Sequence, residues 1–137
     1  MTRDPRIDTI EALFAAWSSG DVDAPEHFFA EGATLVDIVG GTFTGWPAIR
    51  KFFGHGLRIW PDLVLAPDAY WTNDESVAVR WVMTATVSDP AIFGAEHVGK
   101  QWRSEGLSYI DFSGGKITRE VDYHDGGAAA RSLGIRR

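Results

Sequence analysis

Three side chains that can carry a proton alternate along one short stretch. Ile117-Thr-Arg-Glu120-Val-Asp122-Tyr-His124 reads as a strand, and alternation puts Glu120, Asp122 and His124 on one face, with Val121 and Tyr123 on the other. Strands are normally depleted in acids. If this face closes on a covered cavity, Asp122 is a carboxylate whose pKa rises, able to take and return a proton near neutral pH. If the face is open to water, Asp122 is a solvated charge. His124, close to the strand end, is then a second acid/base or a rim residue.

Asp37 ends the apolar run Leu35-Val-Asp-Ile-Val39, just before Gly40-Gly41. It either shares the cavity with Asp122 or forms a salt bridge at a strand end. Two carboxylates close together would couple, one ionising while the other stays protonated. Arg80 interrupts the apolar stretch Val77 to Ala85, facing the same way as Ala78 and Val82. It is expected to pair with Asp122 or Asp37 in the pocket or to hold a carbonyl or enolate oxygen, the alternative being a structural ion pair. Ser108 is in phase with Trp102. Of the other histidines, His55 ends a helix, His97 lies in the loop Asp89 to Gly99 and His27 falls at the surface. No His, Asp and Glu set has metal-ligand spacing, so no metal or other cofactor is expected. Ser104 and Ser108 lack a nucleophile-elbow sequence.

The elements that must position these groups are legible in outline. Asp4-Pro5 is a helix start, with Asp as cap and Pro in the first turn. Ile7, Ile10, Phe14 and Trp17 then share a helical face, and Ser18 to Asp21 ends the helix. Asp23 opens a short second helix through Phe28-Phe29. A strand covers Leu35 to Val39. Pro47 starts a third helix presenting Ile49, Phe52, Phe53, Leu57 and Trp60, and Pro61 stops it. Strands follow over Leu63 to Thr72, Val77 to Val87, Gln101 to Phe112 and Lys116 to His124, with turns at Asn73-Asp74 and Gly114-Gly115. A short Ala-rich helix ends near Gly134. Helices first and strands afterwards indicate an α+β fold, with helices packed on a strongly curved mixed or antiparallel sheet that encloses a cone-shaped pocket. Trp102, Phe53 and Trp60 are the expected cavity walls. Trp81, Tyr109 and Tyr123 are expected on the outer sheet face, where they would form a two-fold dimer interface.

Composition narrows the functional classes. A chain of 137 residues is expected to form one domain over residues 1–137. Net charge is −6, with no run of Lys or Arg, so nucleic acid is not an expected partner. Six tryptophans and eight phenylalanines suit an aromatic-lined interior. There is no cysteine, which excludes thiolate catalysis and disulfides. No apolar run could span a bilayer, and a cytoplasmic setting is expected.

Several segments together are similar to a known family. They are Ala12-Leu-Phe-Ala-Ala-Trp-Ser-Ser-Gly-Asp21, Phe28-Phe-Ala-Glu-Gly-Ala33, Gly45-Trp-Pro-Ala-Ile-Arg-Lys-Phe-Phe53 and Trp60-Pro-Asp-Leu63. Val77-Ala-Val-Arg-Trp-Val-Met-Thr84, and Gly114 through Asp122 and Asp125 to Leu133-Gly134, complete the set. In this order and spacing the chain resembles the NTF2-like superfamily, and within it the SnoaL-like polyketide cyclase group, related to ketosteroid isomerase and limonene epoxide hydrolase. The superfamily hosts isomerases, cyclases, hydrolases, dehydratases and non-enzymes on one fold.

The resemblance implies roles. An aspartate at the position of Asp122 looks inward and acts as acid/base. Phe29 to Asp37 is similar to the segment that carries the general base of ketosteroid isomerases. An arginine at Arg80, followed two residues on by an acid, orients the catalytic water of the epoxide hydrolases, but here Val82 stands in that acid's place. Leu35 and Asp37 stand where that group has Tyr and Asn. Leu13 and Ser108 replace the isomerases' oxyanion donors. The expectation is therefore a cofactor-independent acid/base enzyme on a small hydrophobic carbonyl compound, with Asp122, Asp37 and Arg80 as the catalytic set. Ser108, His124, Trp102, Phe53, Trp60, Leu35 and Val82 would contact substrate. Epoxide hydrolysis with a modified triad and a non-catalytic, dimeric ligand-binding module are the alternatives. Asp125 is expected to cap the C-terminal helix.

Overall fold

The computed structural model describes residues 3–136. The first helix, α1 (Pro5–Trp17), begins where Asp4 accepts a hydrogen bond from the Arg6 backbone N–H at 2.9 Å. Ile10, Leu13, Phe14 and Trp17 are its buried residues, three and four apart along one stripe. Ser18 ends the helix and ties it to the sheet: its hydroxyl donates to Phe14 O at 2.8 Å and accepts from Leu65 N at 2.9 Å.

Only one 3-10 turn, Glu26–Phe28, forms in the second helical segment. The strand expected at Leu35 starts earlier, as β1 (Phe29–Asp37), and β2 (Gly41–Thr44) pairs back on it. Helix α2 (Trp46–Ile59) follows, and Pro61, which has no N–H to extend a helix, lies just beyond its end. The four later strands are β3 (Val64–Thr72), β4 (Ser76–Thr86), β5 (Gln101–Ser113) and β6 (Lys116–His124). Between β4 and β5 lies the short helix α3 (Pro90–Phe93), and α4 (Ala128–Ser132) packs against β5.

The six strands form one mixed sheet in the order β2-β1-β6-β5-β4-β3. All neighbours are antiparallel except β1 and β6. Register shifts interrupt β1 near its start, β3 between Pro67 and Ala69, and β5 between Asp111 and Phe112. Such bulges add local bend and twist, and the sheet curves without closing into a barrel. Helix α1 lies over β3, and α2 over β1 and β2. Core side chains from the helices and from one sheet face, among them Leu13, Phe14, Ile49, Val79 and Ile110, fill the space between.

Strand phase is where expectation and structure part. Along β4 it is Val77, Val79, Trp81 and Ala85 that are buried, while Arg80 is exposed. Arg80 lies on the outer face and pairs with Asp68, Nε to Oδ1, at 2.8 Å. Val82 shares that outer phase, and Trp81 points inward rather than outward with Tyr109 and Tyr123. β4 is apolar on both faces, so its alternation alone does not say which face is covered. Burial of the large indole and the valines decides it. Asp125 does not cap α4 through its side chain: it accepts from Gly127 N at 2.8 Å and pairs with Arg131.

Candidate active site

The cavity between α1, α2 and the sheet has a volume of about 300 Å³, at the low end of the usual range for small-molecule pockets, roughly 300–1,000 Å³. Aromatic rings form much of its wall. Trp17 meets Phe53 edge-on with centroids 4.4 Å apart, and Trp60 meets Trp102 edge-on at 5.1 Å. Both pairs line the cavity, as does Leu35. Asp37, Ser108, Glu120, Asp122 and His124 bring polar groups to the same space.

Register explains why these polar groups meet. β6 pairs with β1 on one side and β5 on the other, so Asp122 lies opposite Asp37 in one direction and Ser108 in the other. Glu120 lies opposite Leu35 and Ile110, and His124 opposite Gly106. Gly106 also lies opposite Trp81. A Cβ at Gly106 would run into the Trp81 ring. The missing side chain lets the indole lie across β5 and reach Ser108.

A directed hydrogen-bond chain results. Trp81 Nε1 donates to Ser108 Oγ at 2.9 Å, and Ser108 Oγ donates to Asp122 Oδ1 at 2.6 Å. An indole N–H only donates. It therefore occupies an acceptor site of Ser108 and leaves the hydroxyl proton for Asp122. Asp122 Oδ1 is an acceptor in this arrangement, and Asp122 is held in one orientation by a buried serine.

His124 and Asp37 form a second unit. His124 Nε2 lies 2.9 and 3.0 Å from the two oxygens of Asp37. Asp37 Oδ1 also accepts from Val39 N at 2.9 Å and Gly40 N at 2.8 Å, an Asx-type turn at the end of β1. Burial pushes Asp37 up, but the hydrogen bonds from His124 and from the Gly40 and Val39 amides outweigh it, and its pKa lies below its ordinary value. The Asp37 hydrogen bond holds His124 above its ordinary value against burial, helped by the charges of Asp37, Asp122 and Asp125. Each side chain thus favours the charged form of the other, an aspartate–imidazolium pair. No group among the described residues hydrogen-bonds His124 Nδ1.

Glu120 is 3% exposed. Burial raises its pKa well above the carboxylate range, and the neighbouring charge of Asp122 adds to this. Burial also raises Asp122, while hydrogen bonds from Glu120 and Ser108 pull it down without cancelling the rise. An ionised carboxylate only accepts hydrogen bonds, so these two acids can hydrogen-bond each other only when one of them is protonated.

Asp122 and Asp37 both reach the cavity. Arg80 does not, and Val82 is also on the outer face. Ser108, His124, Trp102, Phe53, Trp60 and Leu35 all line it. His55, on α2, lines it as well. Among the described residues no Lys or Arg lines the cavity, and no three His, Asp or Glu side chains are grouped to hold a metal ion. No helix among them is long and apolar enough to cross a membrane. Glu120 has no assigned role in the sequence reading, and Trp81 is assigned there to the outer face rather than to the site. Glu120 is in phase with Asp122, and that phase is its signal. Trp81 carries a signal in its register with Gly106, which appears only once strands are paired.

The fold is of the NTF2-like, ketosteroid-isomerase-like kind. Residues 10–120 match the model of the SnoaL-like domain, and the chain belongs to that family. Solved structures of the same fold include IdmH, a proposed polyketide cyclase from Streptomyces antibioticus. It is 19% identical with a TM-score of 0.84, over 96% of this chain and 100% of that one. A hypothetical protein with a ketosteroid isomerase-like fold from Catenulispora acidiphila, in complex with trimethylamine, is 18% identical with a TM-score of 0.80, over 94% of each chain. A SnoaL-like protein from Jannaschia, described as a polyketide cyclase, is 14% identical with a TM-score of 0.76, over 95% of this chain and 97% of that one. No curated protein matched by sequence comparison.

Proposed function

We propose that this protein is a cofactor-independent acid/base enzyme acting on a small hydrophobic carbonyl compound, as a cyclase or isomerase of the SnoaL-like kind. The observation that carries the reading is Asp122. It is a carboxylate in an aromatic-walled cavity, oriented by Ser108 at 2.6 Å, with no arginine or lysine lining the cavity to neutralise it.

Asp122 takes the proton from the carbon next to the carbonyl. The developing enolate oxygen receives a hydrogen bond from His124, whose imidazolium form Asp37 sustains. In an aldol cyclisation the new carbon–carbon bond forms to a second carbonyl of the same molecule, and the resulting alkoxide takes a proton from His124 or from Asp122. In an isomerisation Asp122 returns its proton at another carbon. Positioned acid/base chemistry contributes roughly 10²–10⁴-fold, and a donor at the oxyanion about 10²–10³-fold. Asp37 acts through His124 and is a positioning residue in this scheme. The cavity's occupant is a small, largely apolar molecule.

Asp122→Asn and wild type are to be compared for turnover of polyketide-like ketones and of epoxides. Loss of about 10²-fold or more with ketones supports the reading. Equal turnover by both proteins removes it and leaves a ligand-binding module. Epoxide turnover that depends on Asp122 selects hydrolysis instead, by a set without Arg80, which faces away from the cavity.

We also propose a homodimer through the outer sheet face. Trp71, Tyr109 and Tyr123 are all exposed there, and β3, β4 and β5 align Trp71, Ala78 and Tyr109 across neighbouring strands. Exposed aromatics in register on one sheet face are suited to a self-complementary contact.

A further inference from the structure

Glu120 has no counterpart in the role just given to Asp122, yet it is the more deeply buried acid. It is 3% exposed, and its Oε1 has no hydrogen-bond partner. Native structures seldom bury a polar atom unsatisfied, and an ionised carboxylate in this position would be costly. Glu120 and Asp122 are two residues apart on β6 and both line the cavity, with their carboxyls close enough to act on each other. Two such carboxyls hydrogen-bond each other only when one of them carries a proton.

Among the described residues the surroundings offer Glu120 no lysine or arginine. From β1 it faces Asp37, and from its own strand Asp122 and His124, whose imidazole is already held by Asp37. α2 contributes His55 to the same cavity. β4 and β5 contribute the uncharged Trp81 and Ser108, and α1 contributes Phe14 and Trp17. A second negative charge beside Asp122 would therefore stand uncompensated.

We propose that Glu120 is a positioning residue that holds one proton in common with Asp122, so that the pair acts as a single proton-handling unit. The inference rests on Asp122 being the acid/base, and it extends that reading to a second side chain. In the resting state Glu120 is the neutral acid and donates to the Asp122 carboxylate. This keeps Asp122 in its base form inside an apolar cavity, where burial alone would protonate it. When Asp122 takes a proton from the ligand, both acids are neutral and the ligand carries the negative charge. Return of that proton restores the starting state. The arrangement follows the logic of two carboxyls sharing one proton.

The test uses the protein labelled with carbon-13 at its Asp and Glu side-chain carboxyls, titrated by NMR without ligand. In wild type, the Glu120 and Asp122 carbons should move together in two shared steps, the upper one above the ordinary carboxylate range of about 4–4.5. In Glu120→Gln, whose amide still donates to Asp122, the Asp122 carbon should titrate in one step. In Asp122→Asn, the Glu120 step should move down relative to the upper wild-type step. A merely structural Glu120 would leave the Asp122 titration unchanged in shape. Independent titrations in wild type, or a Glu120 carbon that ionises in the ordinary range, overturn the proposal. If Glu120→Gln does not fold, the Asp122→Asn titration alone decides it by the same criterion. The proton pair is read here without turnover, so its failure is distinguishable from failure of the proposed activity.

Discussion

Ser108 and Asp122 face each other across β5 and β6, and the serine hydroxyl donates to Asp122 Oδ1 at 2.6 Å. Trp81 Nε1 donates to the same hydroxyl at 2.9 Å, which leaves the O–H free to point at the Asp122 carboxylate. A side chain on β4 thus governs how a carboxylate on β6 presents itself to the cavity. The path runs through a gap that Gly106 leaves open.

Ser108→Ala should test that path. It removes the acceptor of a buried indole N–H and one donor to Asp122. A buried polar group left unpaired costs about 1–3 kcal/mol, so the urea midpoint should fall accordingly. The Asp122 pKa should rise further, because one of the hydrogen bonds that lowers it is gone. An unchanged midpoint together with an unchanged Asp122 titration would contradict the chain.

Asp37 and His124 should give stability a defined pH window. Asp37 lies below its ordinary value, so its contribution is present above about 3.9 and fades as pH falls through its lowered folded value. His124 lies above its ordinary value, so its contribution is complete below about 6.5 and fades as pH rises through its raised folded value. The stability difference between wild type and Asp37→Asn should be greatest between these limits and shrink on either side. Denaturation curves across pH measure it. A difference independent of pH would show that the two side chains are not an ion pair.

Arg80→Ala should be close to silent. The Arg80–Asp68 pair is solvent-exposed on both sides, with 54% and 44% of the side chains accessible, and such pairs contribute about 0–1 kcal/mol. Turnover of any substrate found should be unchanged. A large loss of activity without loss of stability would mean that Arg80 reaches a reacting group after all.

The outer face should respond to charge. Tyr109→Glu combined with Tyr123→Glu places two acids on the exposed aromatic surface and should leave the cavity intact. Sedimentation of wild type at tens of micromolar is expected to give a dimer, and of the double variant a monomer. Wild type that stays monomeric at that concentration rules the interface out.

Much of the architecture can be read directly from residue order. Asp4-Pro5, Pro47 and Pro61 mark helix limits through proline's fixed φ and missing N–H, and β6 begins and ends at the residues expected of it. The candidate site is harder. Asp122 and His124 share a phase on β6, which alternation reveals. Arg80 misleads because β4 carries apolar residues on both faces, and a charged residue in such a strand looks inward or outward equally well from sequence. Glu120 is in plain view beside Asp122, but its importance depends on having no lysine or arginine nearby, which no single strand can state. Trp81 becomes a donor to Ser108 only through pairing with Gly106 on a neighbouring strand.

The sequence by itself therefore determined the family, the α+β arrangement, the limits of most elements and the common face of Glu120, Asp122 and His124. Those follow from local physics: backbone restriction, caps, turns and the period of two along a strand. The tertiary structure decided which face of β4 is covered, that Asp37 serves His124, and that Glu120 and Asp122 meet in a cavity that no lysine or arginine lines among the described residues. These depend on strand order and register, which bring residues from β1, β4, β5 and β6 within hydrogen-bonding distance although they lie far apart in the chain.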